Sequence, residues 1–183
     1  MAVMTTDTGS PEERADLLEL LRKHRALFRH TMTGLSDDQA ASTPTVSELS
    51  LAGLVKHVAA TEAGWADFVV HGPADRPDID WANVDWSDPP PAVAAYRDGF
   101  RMVEGETLEG LLATYDDVAA ATDELVGTVD LAARQPLPEA PWFESGATWS
   151  ARRVFHHIAV ETAQHAGHAD IIRETIDGQR SMG

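Results

Sequence analysis

Five side chains that bind cations or move protons stand at suggestive positions: His57, and the run His157, Glu161, His165 and His168. Groups at i and i+4 lie about one helical turn apart, close enough to chelate one ion from the same side. The pairs His157/Glu161 and Glu161/His165 meet that spacing, and His165/His168 at i, i+3 is a weaker pair. At about 100° per residue the four positions occupy an arc of roughly 80°. They also spread over about 16 Å of helix at 1.5 Å per residue, so one ion cannot take all four. A further ligand has to come from a facing helix, and His57 is the mid-helix histidine available on the second predicted helix. The resulting set is His57, Glu161 and His165. Two imidazoles and a carboxylate suit Zn²⁺ first, with Ni²⁺ or Fe²⁺ as alternatives, and leave a position for water or substrate. His157 and His168 then line the pocket or relay protons, because imidazole titrates near neutral pH.

Four such groups on a core-facing stripe are costly to bury unless paired or metal-bound. Spacing alone leaves two readings open: metal ligation, or a ladder of histidines hydrogen-bonded to one another.

The element that must position the run is one long helix from Ser150 to Gly178. Ser150 is a good N-cap, and Gly178 tolerates the left-handed conformation that ends a helix. Val154, Ile158, Ile171 and Ile172 border the polar stripe and are expected to turn it inward. His57 belongs to a helix starting near Ser50, with Leu51, Leu54, Val58, Thr61, Trp65 and Phe68 on one stripe. A first helix is predicted from Pro11 to about Thr33, since Pro11, Glu12 and Glu13 suit a first turn. Its apolar positions are Leu17, Leu20, Leu21, Leu27 and Phe28, and His24 on that face reads as a core histidine. A third helix follows Thr107, with Leu108, Leu111, Tyr115, Val118, Thr122 and Val126 as its seam.

Leu35 to Thr45 reads as a polar connection, and Asp130 to Thr148 as a loop. Residues 71–105 read as an irregular crossover holding Trp81 and Trp86, in which Ala92 to Phe100 can form a short helix. Pro89, Pro90 and Pro91 cannot continue a helix. No alternating strand pattern has useful length. Four helices joined this way predict an all-α four-helix bundle, up-down-down-up, with a long crossover between helices two and three. Residues 1–10 are expected to be a flexible leader, 11–178 a single domain and 179–183 a tail.

Composition removes several function classes. The chain of 183 residues has no cysteine, which excludes disulfides, thiolate ligands and a nucleophilic protein thiol. Its net charge of −16 disfavours nucleic acid and anionic membrane surfaces as partners. No signal peptide and no apolar run of membrane-spanning length is seen, and a cytoplasmic protein is expected. The H-E-x-x-H pattern, the Gly-x-Ser-x-Gly elbow and a phosphate-cradling glycine loop are all missing.

Leu54-Val-Lys-His57-Val together with Glu161-Thr-Ala-Gln-His165-Ala-Gly-His168-Ala-Asp170 resembles the DinB/YfiT-like superfamily over nearly the whole chain. More narrowly it resembles the actinobacterial branch with an E-T-A-x-H-A-G-H-A-D signature. The resemblance implies a four-helix bundle with a divalent metal held by His57, Glu161 and His165. Many relatives have histidine at the position of Glu161, and mycothiol-dependent maleylpyruvate isomerase is similar in using glutamate. Much of the wider family has glutamine at the position of His168. The resemblance further implies a low-molecular-weight thiol such as mycothiol as cosubstrate, in S-transfer to an electrophile or thiol-dependent isomerisation. The alternative expectation is a non-catalytic metal-binding stress or scaffold protein. A closed shell of four protein ligands would mark the scaffold, and an open position beside a pocket lined by Trp65, Trp81 or Trp86 would mark the enzyme. A homodimer is expected in either case, with Val69 and Val70 as apolar surface.

Overall fold

The long helices begin where hydroxyl side chains can accept from their free N–H groups. In the computed structural model, which describes residues 8–74, 79 and 83–181, α1 spans Pro11–His30 with Ser10 as N-cap. The helix α3 spans Leu51–His71 behind Ser50, α5 spans Leu108–Thr128 behind Thr107, and α6 spans Ala151–Asp177 behind Ser150. Each cap accepts from the backbone N–H three residues on, which satisfies a donor the helix itself cannot. Gly178 closes α6 with φ +79°, in the left-handed region where a Cβ would be strained.

Two short helices and one hairpin complete the described elements. The helix α2, Asp37–Ala41, lies inside the stretch expected to be a plain connection. Ser36 and Gln39 cap it reciprocally, a pattern legible in the sequence as Ser-x-x-Gln. The helix α4, Pro91–Asp98, starts at Pro91, which fits a first turn because its missing N–H has no partner to lose. Strands β1, Arg134–Pro136, and β2, Thr148–Ser150, pair antiparallel with Gln135 opposite Trp149. This hairpin stands where a loop was expected; three-residue strands are too short to show alternation.

The helix α6 packs on α1 and α3, and α5 packs on α3 and α1. Two apolar clusters result. One gathers Phe28, Leu51, Leu54, Val55, Tyr115 and Ile172, and the other Leu17, Leu21, Phe68, Val126, Phe155 and Ile158. On every long helix a polar residue falls between the segments that feed the two clusters. Arg25 on α1 donates to Glu62 on α3 (3.2 Å) and to Asp123 on α5 (2.7 Å), and Thr162 on α6 bonds its own helix. Arg25 and Glu62 are buried, so each needs the other's charge.

Three expectations need correction. The first helix ends at His30 rather than Thr33, with a turn running to Gly34 at φ +76°. Ile171 is 62% exposed, because neighbours on a helix point about 100° apart and Ile172 takes the buried direction. Val69 is buried in the second cluster, and only Val70 of that pair faces outward. Trp81 lies outside the described residues.

Candidate metal centre and adjoining cleft

Because α3 and α6 pack together, His57 meets Glu161 and His165 across the helix pair. One ligand atom from each lies within 4.8 Å of the other two, the group of this kind among the described residues. Nε2 of His165 is 3.9 Å from Glu161 Oε2, and the rings of His57 and His165 meet edge to face with centroids 4.8 Å apart. Ligands held at about 2.0–2.2 Å from one tetrahedral ion stand about 3.3–3.6 Å apart. His165 and Glu161 are within a few tenths of an ångström of that, and a closure of about 1 Å or less by half-buried side chains brings in the widest pair, so the residues fit a divalent cation.

Burial and neighbouring charge set the protonation states. Burial pushes the His57 imidazole below its ordinary value, against the opposing pull of the Glu161 carboxylate. Burial lowers His165 as well, assisted by His57 and His168 and opposed by Glu161. Neutral imidazole is the form that binds metal. His168 is a further half-buried ring on the same helix. Its Nδ1 is 3.3 Å from Nδ1 of His165, so the tautomer of His165 that leaves Nε2 unprotonated would donate from Nδ1–H to His168 Nδ1.

His157 stands on the other side of Glu161, with Nε2 3.6 Å from Oε1. It is boxed by two indoles: Trp65 and Trp149 stack with centroids 5.1 Å apart, and the imidazole edge meets them at 4.9 and 5.0 Å. Burial depresses its proton affinity, Glu161 opposes, and Arg153 adds to the depression. The hairpin is what delivers Trp149 here, since the Gln135 side chain donates to the carbonyls of Val69 and Val70 at the end of α3.

A cleft of about 520 Å³ opens beside His57. Ala60, Thr61, Gly64 and Trp65 of α3 line it on one side, and Tyr96 and Phe100 at the end of the crossover line it on the other. Phe100 stacks on His57 with centroids 4.9 Å apart and planes 25° apart. Two contacts hold that segment in place. The Lys56 ammonium donates to the Arg101 carbonyl (3.0 Å) and to Glu106 (2.7 Å), and Gly53 packs directly beneath the Phe100 carbonyl. Of the expected pocket tryptophans, Trp65 lines the cleft, whereas Trp86 is exposed and outside it. His24 is half-buried on α1, apart from the ligand group.

The sequence reading missed Phe100, Trp149 and the Arg25–Glu62 pair. Trp149 had a signal, since an apolar residue just before an N-cap is the position of a hydrophobic staple. Phe100 had none beyond its place at the end of a short predicted helix.

The family model for mycothiol-S-transferase matches residues 16–178, and the chain belongs to that family, within the DinB/YfiT-like proteins. Among solved structures, a conserved protein from Enterococcus faecalis has a TM-score of 0.63 at 15% identity, covering 90% of this chain and 97% of its own. At that identity the likeness concerns the fold. No curated protein matches the chain.

Proposed function

We propose that this chain is a divalent-metal-dependent enzyme that joins a low-molecular-weight thiol, mycothiol or a close analogue, to an electrophilic small molecule. Thiol-dependent isomerisation is the variant of the same chemistry. The reading takes residues 11–178 as a single up-down-down-up four-helix domain whose ion, zinc before nickel or iron, is held by His57, Glu161 and His165. The observation that carries it is the convergence of those three side chains beside a cleft that His57 borders.

With no cysteine in the chain, the reacting sulfur arrives on the cosubstrate. A +2 ion on two neutral imidazoles and one carboxylate keeps net positive charge, which favours thiolate over thiol. His157 is the proton acceptor: it is neutral, next to Glu161, and locked between two indoles. His168 acts through His165, holding its Nδ1 so that Nε2 keeps a free lone pair. In the transfer, the thiol proton passes to His157 and the sulfur forms a bond to the electrophilic carbon. The leaving group departs with the electron pair of the broken bond and takes up a proton from His157 or water. In the isomerisation variant the sulfur adds to a conjugated carbon and is expelled again after bond rotation, so the thiol is regenerated.

The scaffold alternative requires a fourth protein ligand, and three ligating side chains converge among the described residues. The proposal includes a homodimer, for which exposed Val70, Val160 and Ile171 offer apolar surface. The test uses untagged protein, since a histidine tag binds nickel and zinc. The expected result is about one equivalent of divalent metal by elemental analysis and metal-dependent consumption of mycothiol with an electrophile panel. Metal-loaded protein that consumes no thiol with any member of the panel would refute the reading.

A further inference from the structure

We infer that the cleft beside His57 receives the electrophile, and that this electrophile is uncharged, apolar and ring-bearing; the inference rests on the thiol-transfer reading above. The floor of the cleft is bare helix. Ala60 and Gly64 stand one turn apart on α3, and a Cβ at Gly64 would meet nothing within 4 Å. A flat molecule can therefore lie against the helix backbone between the small residues. The walls are aromatic: Phe100 stacks on His57, Tyr96 meets Phe100 edge-on at 5.1 Å, and Trp65 meets Phe68 edge-on at 5.3 Å. Rings at these spacings favour offset or edge-to-face contact with a further ring.

Charge supplies the second half of the argument. Among the described residues no lysine or arginine lines the cleft, and its acidic side chain is Asp67, paired with His71 at 2.7 Å. Among the described lining residues a carboxylate or phosphate would meet no lysine or arginine and would be repelled by Asp67 and by the net charge of −16. The proposed ion on His57 is the cation beside the cleft, and its open position is given to the thiol. A sugar-bearing thiol carries many hydroxyls, and apart from His57 and Asp67 the side chains of the described lining offer the hydroxyls of Thr61 and Tyr96. Unpaired hydroxyls are costly to bury, so the thiol approaches His57 from another side and the cleft is left to its partner.

The test is equilibrium dialysis with two unreactive probes of similar shape, 1,3-dinitrobenzene and 3,5-dinitrobenzoate, on the metal-loaded full chain with excess mycothiol present to occupy the ion's open position. The neutral probe is expected to bind at least tenfold more tightly than the carboxylate. Gly64→Leu places a Cβ where nothing lies within 4 Å and extends over the floor, and should weaken the neutral probe at least tenfold, with melting temperature and metal content as controls of folding. Equal or tighter binding of the carboxylate overturns the proposal, as does unchanged binding in a folded Gly64→Leu protein. Because neither probe reacts, these results are independent of turnover. Selective binding without thiol consumption by any electrophile would sink the enzymatic reading and keep the assigned ligand class, whereas turnover without selective binding would do the reverse.

Discussion

The carbonyl oxygen of Phe100 lies 2.0 Å from where a Cβ on Gly53 would stand, one helical turn before His57. That close approach lets the crossover lie on α3 and places the Phe100 ring over the His57 imidazole. Gly53→Ala gains up to about 1 kcal/mol of helix propensity. It also drives a methyl into backbone, which cannot yield as a flexible side chain would, at a cost of about 1–3 kcal/mol or more. The net expectation is a lower urea midpoint together with weaker binding of ring compounds in the cleft. An unchanged midpoint would show that the crossover is free to lift away.

Loss of His57 should empty the ion site. Elemental analysis of untagged His57→Ala is expected to find well under a tenth of an equivalent of metal, because Glu161 and His165 alone leave two ligands where stable sites use three or four. Full zinc or nickel content in that variant would mean the ligands are other residues.

The buried pair across α1 and α3 gives a stability prediction with a built-in control. Glu62→Gln leaves the Arg25 charge to Asp123, a partner 21% exposed, and should cost about 2–4 kcal/mol in chemical unfolding. Arg25→Met combined with Glu62→Leu removes both charges and should recover most of that loss. A double variant as unstable as the single one would show that the pair does more than neutralise itself.

Acid sensitivity should depend on the end of α6. The buried Arg173 donates to the carbonyls of Thr31 and Thr33 (2.8 Å each) and to Asp177 (2.9 Å), tying α6 to the end of α1. The bond from Arg173 holds the Asp177 carboxyl below its ordinary value of 3.8, helped by the N–H of Gln179. A carboxyl depressed in the folded state stabilises above its unfolded value, and that contribution is lost as pH falls through the folded one. The stability difference between wild type and Asp177→Asn should thus be constant above about pH 5 and shrink below pH 3.8. Thermal melts across that range measure it, and a difference independent of pH would rule the carboxylate out.

Local chemistry made the helices legible from the sequence. Ser50, Thr107, Ser150 and Gly178 mark ends that depend on one side chain or one φ angle, and the stripes of α1, α3, α5 and α6 repeat over twenty or more residues each. The i, i+4 spacing of Glu161 and His165 is likewise a property of one helix, so the sequence by itself put them on one face. Their meeting with His57 was an expectation that only the packing of α3 on α6 turned into distances.

What tertiary structure alone decided involves residues far apart in the chain or side chains whose type suggests the opposite. Arg25 looks like a solvent-facing residue between Leu21 and Phe28, yet it is buried because Glu62 and Asp123 arrive from two other helices. Phe100 and Trp149 reach the site through Gly53 and through the hairpin of two three-residue strands, contacts between segments tens of residues apart that no periodicity encodes. Sequence spacing fixes which groups share a helix face; which faces meet, and what covers them, depends on packing across the whole chain.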